Sequence, residues 1–424
     1  MKKVIQIGNE VKLKKEQIKE LMNLSLSDVE QEMKLQLIQE LIPLGLMHVG
    51  ELLKKEVVSL AGDRYRRNGQ GGYVRWAKQW GHIYLGDRKV PIEYQRVRDN
   101  IANREAELKT YRELKDPRQL DERIFKNILV GLSCRRYEEC CMAIPAALGM
   151  PSSTVSRRFI KVSKKKLTEI TDRRLDEVNI AAIIMDGKVF YDDKMIVALG
   201  VTVEGRKVIL GYIQAGTENA AVCKEFLGGL LDRGLKIEEG VLCIVDGSKA
   251  FRKSVEEVFS GYALIQRCQW HKRENVLRYL PKGKQDVFRN KLQSAYEEPT
   301  YEDAKKALNK VKKELLLINE SAVRSLEEGL EETLTLHRLG LFEKLGKSLK
   351  TTNCIESLMS QIGQRTDKVD YWKNSNQKQR WVASALLDIE PRLTRIRGYR
   401  HLLELRVAIQ RELKIGVKEA RTAA

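Results

Sequence analysis

The chain has 424 residues, room for roughly three domains at about 150 residues each, and its 77 Lys and Arg against 58 Asp and Glu give a formal charge of +19. A 42% apolar share suffices for more than one buried core and excludes wholesale disorder. No apolar run approaches the ~18 residues of a membrane span, no signal-peptide stretch is evident, and seven cysteines without one Cys-x-x-Cys pair exclude a disulfide framework and a ribbon-type zinc module.

A cytoplasmic protein with a basic surface is therefore expected. The charge is concentrated: residues 64–98 carry +7, residues 150–174 carry +6 and residues 365–424 carry +7, while the remaining 304 sum to −1. Such polarity predicts a polyanion partner, because each neutralised phosphate releases condensed counterions. The alternative is a merely solvated basic surface. No segment pairs a basic face with an exposed aromatic stripe, so no membrane partner is expected.

Residues 11–60 show apolar residues at helical spacing, and Gly62 closes that stretch. Residues 63–98 change character, with glycines among Tyr73, Trp76, Trp80, Tyr84 and Tyr94. Short strands are predicted there. Arginines interleaved with aromatics suit phosphate contact and base stacking; equally, the aromatics of a small sheet can fill its own core.

Residues 122–170 predict a helix-turn-helix: a helix around Arg135–Leu148, a break at Gly149-Met150-Pro151, and a second helix capped by Ser152 or Ser153. That second helix would present Ser153, Thr154, Ser156, Arg157 and Arg158 to the major groove, followed by Lys161 and Lys164–Lys166. Pro145 inside the first helix is a poor fit.

From residue 178 the pattern turns to α/β. VNIAAIIMDG predicts a buried strand ending at Asp186-Gly187, and residues 194–203 and 206–215 a hairpin across Glu204-Gly205. Residues 218–234 read as a helix, VLCIVDGSK as a strand ending at Asp246-Gly247, KAFRKSVEEVF as a helix and YALIQRCQWH as a strand. This order matches the ribonuclease H-like fold and would bring Asp186 and Asp246 together at one sheet edge. Asp-Gly alone often just begins a turn. Two such endings on buried strands instead suggest an oxygen-only site for Mg²⁺ or Mn²⁺, since close carboxylates repel without a cation. Asp192 and Asp193 read as turn residues.

Residues 276–345 read as helices with repeating charge pairs, so Glu327, Glu328, Glu331 and Glu332 are expected on solvated faces. Glu356 differs, because it opens a helix whose apolar face is Leu358, Met359 and Ile362, with Thr352 or Asn353 as cap. It is one candidate among several for a third carboxylate.

Four motifs resemble the bacterial insertion-sequence transposases of the Mutator type: IIMDG, CIVDG, RCQWHKREN at 267–275, and TTNCIES with Arg365-Thr366 at 351–366. YWKNSNQKQRW at 371–381 and IEPRLTRIRGYRHL at 389–402 are also similar to that family. The resemblance implies an α/β ribonuclease H-like core with an all-α insertion; the helical and helix-turn-helix DNA-binding segments expected before it rest mainly on the residue pattern. It implies an Asp186, Asp246 and Glu356 triad; phosphodiester cleavage there suits two Mg²⁺ (or Mn²⁺) ions, which Asp186 is expected to bridge. It places the family's Cys-x-x-His signature on Cys268 and His271. His271 is expected at a phosphate near the metals or in a packing role, Cys268 buried at the strand end, and Trp270 packing or stacking on a displaced base. Arg267, Lys272, Arg273 and Arg365 are expected DNA contacts, with Cys268 and Trp270 at the same interface.

The expected domains are a helical region at 1–62, a small basic DNA-binding region at 63–120 and the helix-turn-helix at 121–175. The catalytic core takes 176–275 and 350–385, the helical insertion 276–349, and a basic helical tail 386–424. The implied reaction is cleavage at the element's terminal inverted repeats and joining to target DNA, by a homodimer or larger synaptic assembly near the nucleoid. A ribonuclease H-like nuclease that cuts without joining and a non-catalytic DNA-binding regulator are the alternatives.

Overall fold

The computed structural model describes residue 46 and residues 48–65, 72–85, 88–140, 150–217 and 219–415. They divide into two units: one holds the residues up to Ile124 together with Ser133–Arg158, the other Phe125–Leu132 and the chain from Phe159 onward. Among the described residues no helix is long and apolar enough to cross a membrane. The helices expected over 11–45 and the last residues of the basic tail lie outside the described residues.

In the first unit the aromatic-rich segment forms strands β1 (Tyr73–Leu85), β2 (Arg88–Asp99) and β3 (Arg104–Ala106), an antiparallel sheet in that order. The strands are longer than expected, because β-branched and aromatic residues continue through both arms of the hairpin. Val49, Leu53 and Val57 of a helix over residues 48–61 pack with Ile83, Val90, Val97 and Leu108 as the core of this unit. The aromatics divide. Tyr94 stacks on Tyr111 at 4.1 Å, whereas Trp76 and Trp80 are exposed, the first beneath the Arg98 guanidinium at 3.8 Å.

Helices α1 (Lys109–Lys115), α2 (Arg118–Leu129) and α3 (Ser152–Thr171) follow. Of the helix expected around Arg135–Leu148, the described part forms turns and a short 3-10 helix at Tyr137–Cys140, and residues 141–149 lie outside the described residues. Helix α3 starts at Ser152, where the second helix is expected, and runs for 20 residues.

The second unit is built on strands β4 (Ile180–Phe190), β5 (Asp193–Thr202), β6 (Lys207–Ala215), β7 (Val241–Val245) and β8 (Ala263–Arg267), in the order β6-β5-β4-β7-β8. The first three pair antiparallel, and β4, β7 and β8 pair parallel. The central strands read as unbroken apolar runs because both their faces are covered. Ile183, Met185, Cys243 and Val245 face α4 (Ala220–Asp232) and α5 (Lys249–Val258). Ala182, Ile184, Leu242 and Ile244 face the opposite layer.

After β8 come α6 (Gln269–Leu277), α7 (Lys282–Tyr296), α8 (Tyr301–Leu316) and α9 (Glu320–Glu327), which share a separate apolar core. Two short helices, α10 (Leu330–Thr333) and α11 (Thr335–Arg338), lead to α12 (Phe342–Leu349), α13 (Asn353–Thr366), α14 (Ser375–Ile389) and α15 (Leu402–Leu413). Helices α12 to α15 form the layer over the second sheet face.

Two strand ends differ from expectation. β4 does not stop at Asp186-Gly187 but pairs with β5 as far as Phe190, and Asp193 opens β5, its carboxylate accepting from Lys378 at 2.7 Å and Gln214 at 2.6 Å. β8 stops at Arg267, so Gln269, Trp270 and His271 begin α6 instead of extending the strand. The charged insertion face is solvated, as expected, at Glu327, Glu328 and Glu331, whereas Glu332 is half-buried and pairs with Arg252 at 3.0 Å.

Candidate active site

Alternation along β4 puts Asp186 on the same face as Ala182 and Ile184, the face covered by α12 to α15. Asp186 is 9% exposed, and its Oδ1 accepts from the Gly187 N–H at 2.9 Å. The parallel register pairs Ala182 with Leu242, Ile183 with Cys243 and Ile184 with Ile244. Carrying that offset forward sets Asp246, the residue after β7, level with Asp186 on the neighbouring strand, where strands lie about 4.8 Å apart.

A turn fixes Asp246. Its Oδ1 accepts from the Ser248 N–H at 2.9 Å, and Gly247 has a φ of +107°. A Cβ at Gly247 would collide with the Arg267 guanidinium, so glycine is required twice over. Arg267, 5% exposed, donates in turn to the Glu328 carbonyl at 2.7 Å and so joins this turn to the helical insertion.

Glu356 comes from the first turn of α13, where the helix dipole favours a carboxylate. Ile355, Leu358, Met359 and Ile362 seat α13 on the Asp186 face of the sheet. Glu356 remains 40% exposed. Thr352, fully buried, precedes α13 without capping its backbone. Its hydroxyl instead donates to Glu356 Oε1 at 3.2 Å and lies 3.4 Å from His271 Nδ1 and 3.6 Å from Cys268 Sγ. His271 Nε2 is 4.0 Å from Glu356 Oε1.

The electrostatics follow from this crowding. Burial, then the charge of Asp246, and to a smaller extent that of Glu356, push the Asp186 carboxyl up to about 7. Burial opposes charge on His271, but its bond to Cys268 and the charges of Asp186 and Asp246 outweigh it and raise the imidazole to about 8. Among the described residues no set of three or more His, Cys, Asp or Glu side chains stands preformed for a metal ion. The charges of Asp246 and Glu356 both act on Asp186.

The residues expected at DNA fall into two groups. Ser153 and Arg157 are exposed one turn apart, Arg157 resting on Thr154 Oγ1 at 3.3 Å; Lys161 is exposed too, and Thr154 and Ser156 are half-buried. Trp270 is exposed and meets the His271 ring edge-on at 4.8 Å. The others are turned inward. Arg158 is held by Asp121 and by Tyr84 Oη. Arg267, Cys268 and Lys272 lie in the interior, Lys272 donating to the Glu328 carbonyl. Arg273 is bound to Gln293 at 2.9 Å and Arg365 to Asp388 at 2.9 Å. Each of these cations is already bonded within the protein, Arg273 at its surface. Sequence reasoning missed Thr352 as a bridge, since a threonine before a helix signals only a cap, and it missed the carbonyl of Glu328, which no side-chain pattern can mark.

The family model for "Transposase, Mutator family" matches residues 106–394. The chain belongs to the Mutator family of transposases. The matched segment begins after β1 and β2 and contains Asp186, Asp246, His271 and Glu356. Among curated members, the chain is 29% identical over 237 residues to "Transposase for insertion sequence element ISRM5" of Rhizobium meliloti (strain 1021), covering 56% of this chain and 57% of that protein. It is 25% identical over 277 residues to the transposase for IS905 of Lactococcus lactis subsp. lactis (strain IL1403), covering 63% and 68%. It is 24% identical over 250 residues to the transposase for IS256 in transposon Tn4001 of Staphylococcus aureus, covering 56% and 63%. The chain thus matches between 57% and 68% of the length of these Mutator relatives.

Proposed function

We propose that this chain is an insertion-sequence transposase whose reaction centre is Asp186, Asp246 and Glu356 on a ribonuclease H-like core. The observation that carries the reading is that Asp186 on β4 feels the charges of Asp246, which directly follows the neighbouring parallel strand β7, and of Glu356, on the helix that covers this face. The sheet order, with three antiparallel strands and two parallel ones between helical layers, supports the fold assignment.

The donor chemistry fits a hard divalent cation. The three side chains offer only oxygens, and the repulsion that raises Asp186 is the kind a cation relieves. Mg²⁺ or Mn²⁺, two ions held by Asp186, Asp246 and Glu356, would activate the attacking oxygen and neutralise charge on the leaving one. The chain's own part is orientation. β4 and the Gly247 turn fix the two aspartates, Thr352 holds one oxygen of Glu356, and His271, charged near neutral pH, binds a phosphate oxygen of the strand. Water attacks phosphorus at the element's end, and the bond to the 3′ oxygen breaks to release a 3′-OH. That hydroxyl attacks a target phosphodiester, forming one P–O bond as another breaks, with no covalent enzyme intermediate.

Terminal repeats and target DNA are the partners. Arg157, Lys161, Trp270 and the Trp76–Arg98 pair are exposed and suited to the phosphate backbone and to bases. Because two ends must be held, the active species is a homodimer or larger assembly, acting in the cytoplasm on the nucleoid. The test is a pre-cleaved end oligonucleotide with Mg²⁺ and target DNA. Joined product is expected. Nicking without joining would make the chain a nuclease, and a mobility shift without chemistry a regulator.

A further inference from the structure

Along β4, Asp186, Lys188 and Phe190 share one face; along α13, Glu356 is followed at successive turns by Met359 and Gly363. Between these two runs lies a cavity of about 220 Å³ lined by Lys188, Phe190, Tyr191, Val197, Met359 and Gly363. Val197 is the cross-strand partner of Asp186, and Met359 stands one turn from Glu356, so the cavity begins beside two of the three carboxylates. Phe190 and Tyr191 meet Trp372 at ring distances of 5.3 and 5.4 Å, closing the outer end with aromatic surface. Lys188, exposed, and Asp367 are its charged members.

We infer that this slot receives one unstacked nucleobase of the DNA strand whose phosphodiester reacts at Asp186, Asp246 and Glu356; the inference rests on the catalytic reading of that site. The cavity is half-open and mostly apolar-walled with two charged members at its edge, the character of a ligand position. A DNA strand offers such a void only one apolar group, the base. Aromatic and apolar walls accept the flat face of any base, independent of sequence. Lys188 stands on the same strand face between Asp186 and the aromatic end, where a phosphate next to the extruded base would pass. Asp367 gives an acceptor for an exocyclic amino group.

The experiment uses the full chain bound to its own end duplex, with 5-iodouracil placed in turn at each position flanking the scissile phosphate. Irradiation is expected to link one position to the peptide containing Phe190 and Tyr191. Gly363→Leu fills the slot: a Cβ there meets only the Asp367 carboxylate, at 3.4 Å, an ordinary contact. In that variant the crosslink should fall about tenfold or more, cleavage of the intact end should fall with it, and an abasic nucleotide at the marked position should restore cleavage. Wild-type crosslinks that all map elsewhere, in a complex that cleaves its ends, overturn the slot and leave the catalytic reading standing. Cleavage that survives Asp186→Asn overturns the catalytic reading, and the slot with it, even where Phe190 or Tyr191 crosslinks.

Discussion

The Thr352 hydroxyl lies 3.2 Å from Glu356 Oε1 and donates to it, from a position fully inside the protein. The same oxygen is 3.4 Å from His271 Nδ1, so one hydroxyl orients a carboxylate and an imidazole at once. Partners of this kind behind metal-binding side chains typically matter by ten- to a hundredfold. Thr352→Val, which keeps the shape and removes the hydroxyl, is expected to lower Mg²⁺-dependent cleavage of a labelled end by about that factor. Thr352→Ser should restore most of it. Equal rates for the two variants would leave the threonine a packing role only.

Asp186 gives opposite signs for activity and stability. Its folded pKa, about 7, lies above the ordinary aspartate value of 3.8, so the metal-free fold is disfavoured as pH rises from 3.8 to 7. Asp186→Asn removes that cost. It is expected to raise metal-free stability at pH 8, by up to about 4 kcal/mol, and the melting temperature with it, while abolishing cleavage and retaining end binding. In the wild type, a cation has to displace a proton from Asp186 below pH 7, so cation affinity should climb with pH and level off above about 7. Calorimetric titration with Mn²⁺ across that range checks the slope.

Cations outside and inside the protein should respond differently to substitution. Arg157→Ala removes an exposed charge on α3, and the salt dependence of end binding should lose about one unit of slope. Arg267→Met removes the bond to the Glu328 carbonyl. It should cost about 2–3 kcal/mol in urea unfolding with the salt slope unchanged.

His337 predicts acid sensitivity. It is 3% exposed and stacked on Phe342 at 3.7 Å, and burial holds its pKa down at about 4. The unfolded imidazole takes its proton near 6.5 and the folded one only near 4, so stability falls as pH drops between those values. The loss is about 3 kcal/mol when complete. His337→Leu should flatten that part of the unfolding profile measured from pH 7 to 4.

The strands that carry Asp186 and Asp246 were legible because an unbroken apolar run that ends on a single carboxylate fits a buried strand with one polar tip and little else. The continuation of β4 past Asp186 was not, since Asp-Gly is ordinarily a turn and only pairing with β5 overrides it. Glu356 was one candidate among many glutamates until the resemblance selected it. The cations expected at DNA were the least legible. Arg158, Arg267, Lys272 and Arg365 read in the sequence as cations beside other cations, yet their partners, Asp121, the Glu328 carbonyl and Asp388, lie 37, 61, 56 and 23 positions away. Charge runs show the sum of the field and not which members turn inward.

The most direct test of the account is anomalous diffraction from crystals of the full chain bound to its end DNA and Mn²⁺. Manganese peaks are expected within coordinating distance of the Asp186, Asp246 and Glu356 carboxylates, with the scissile phosphate between them. Peaks elsewhere, or a reactive phosphate placed away from these side chains, would contradict it.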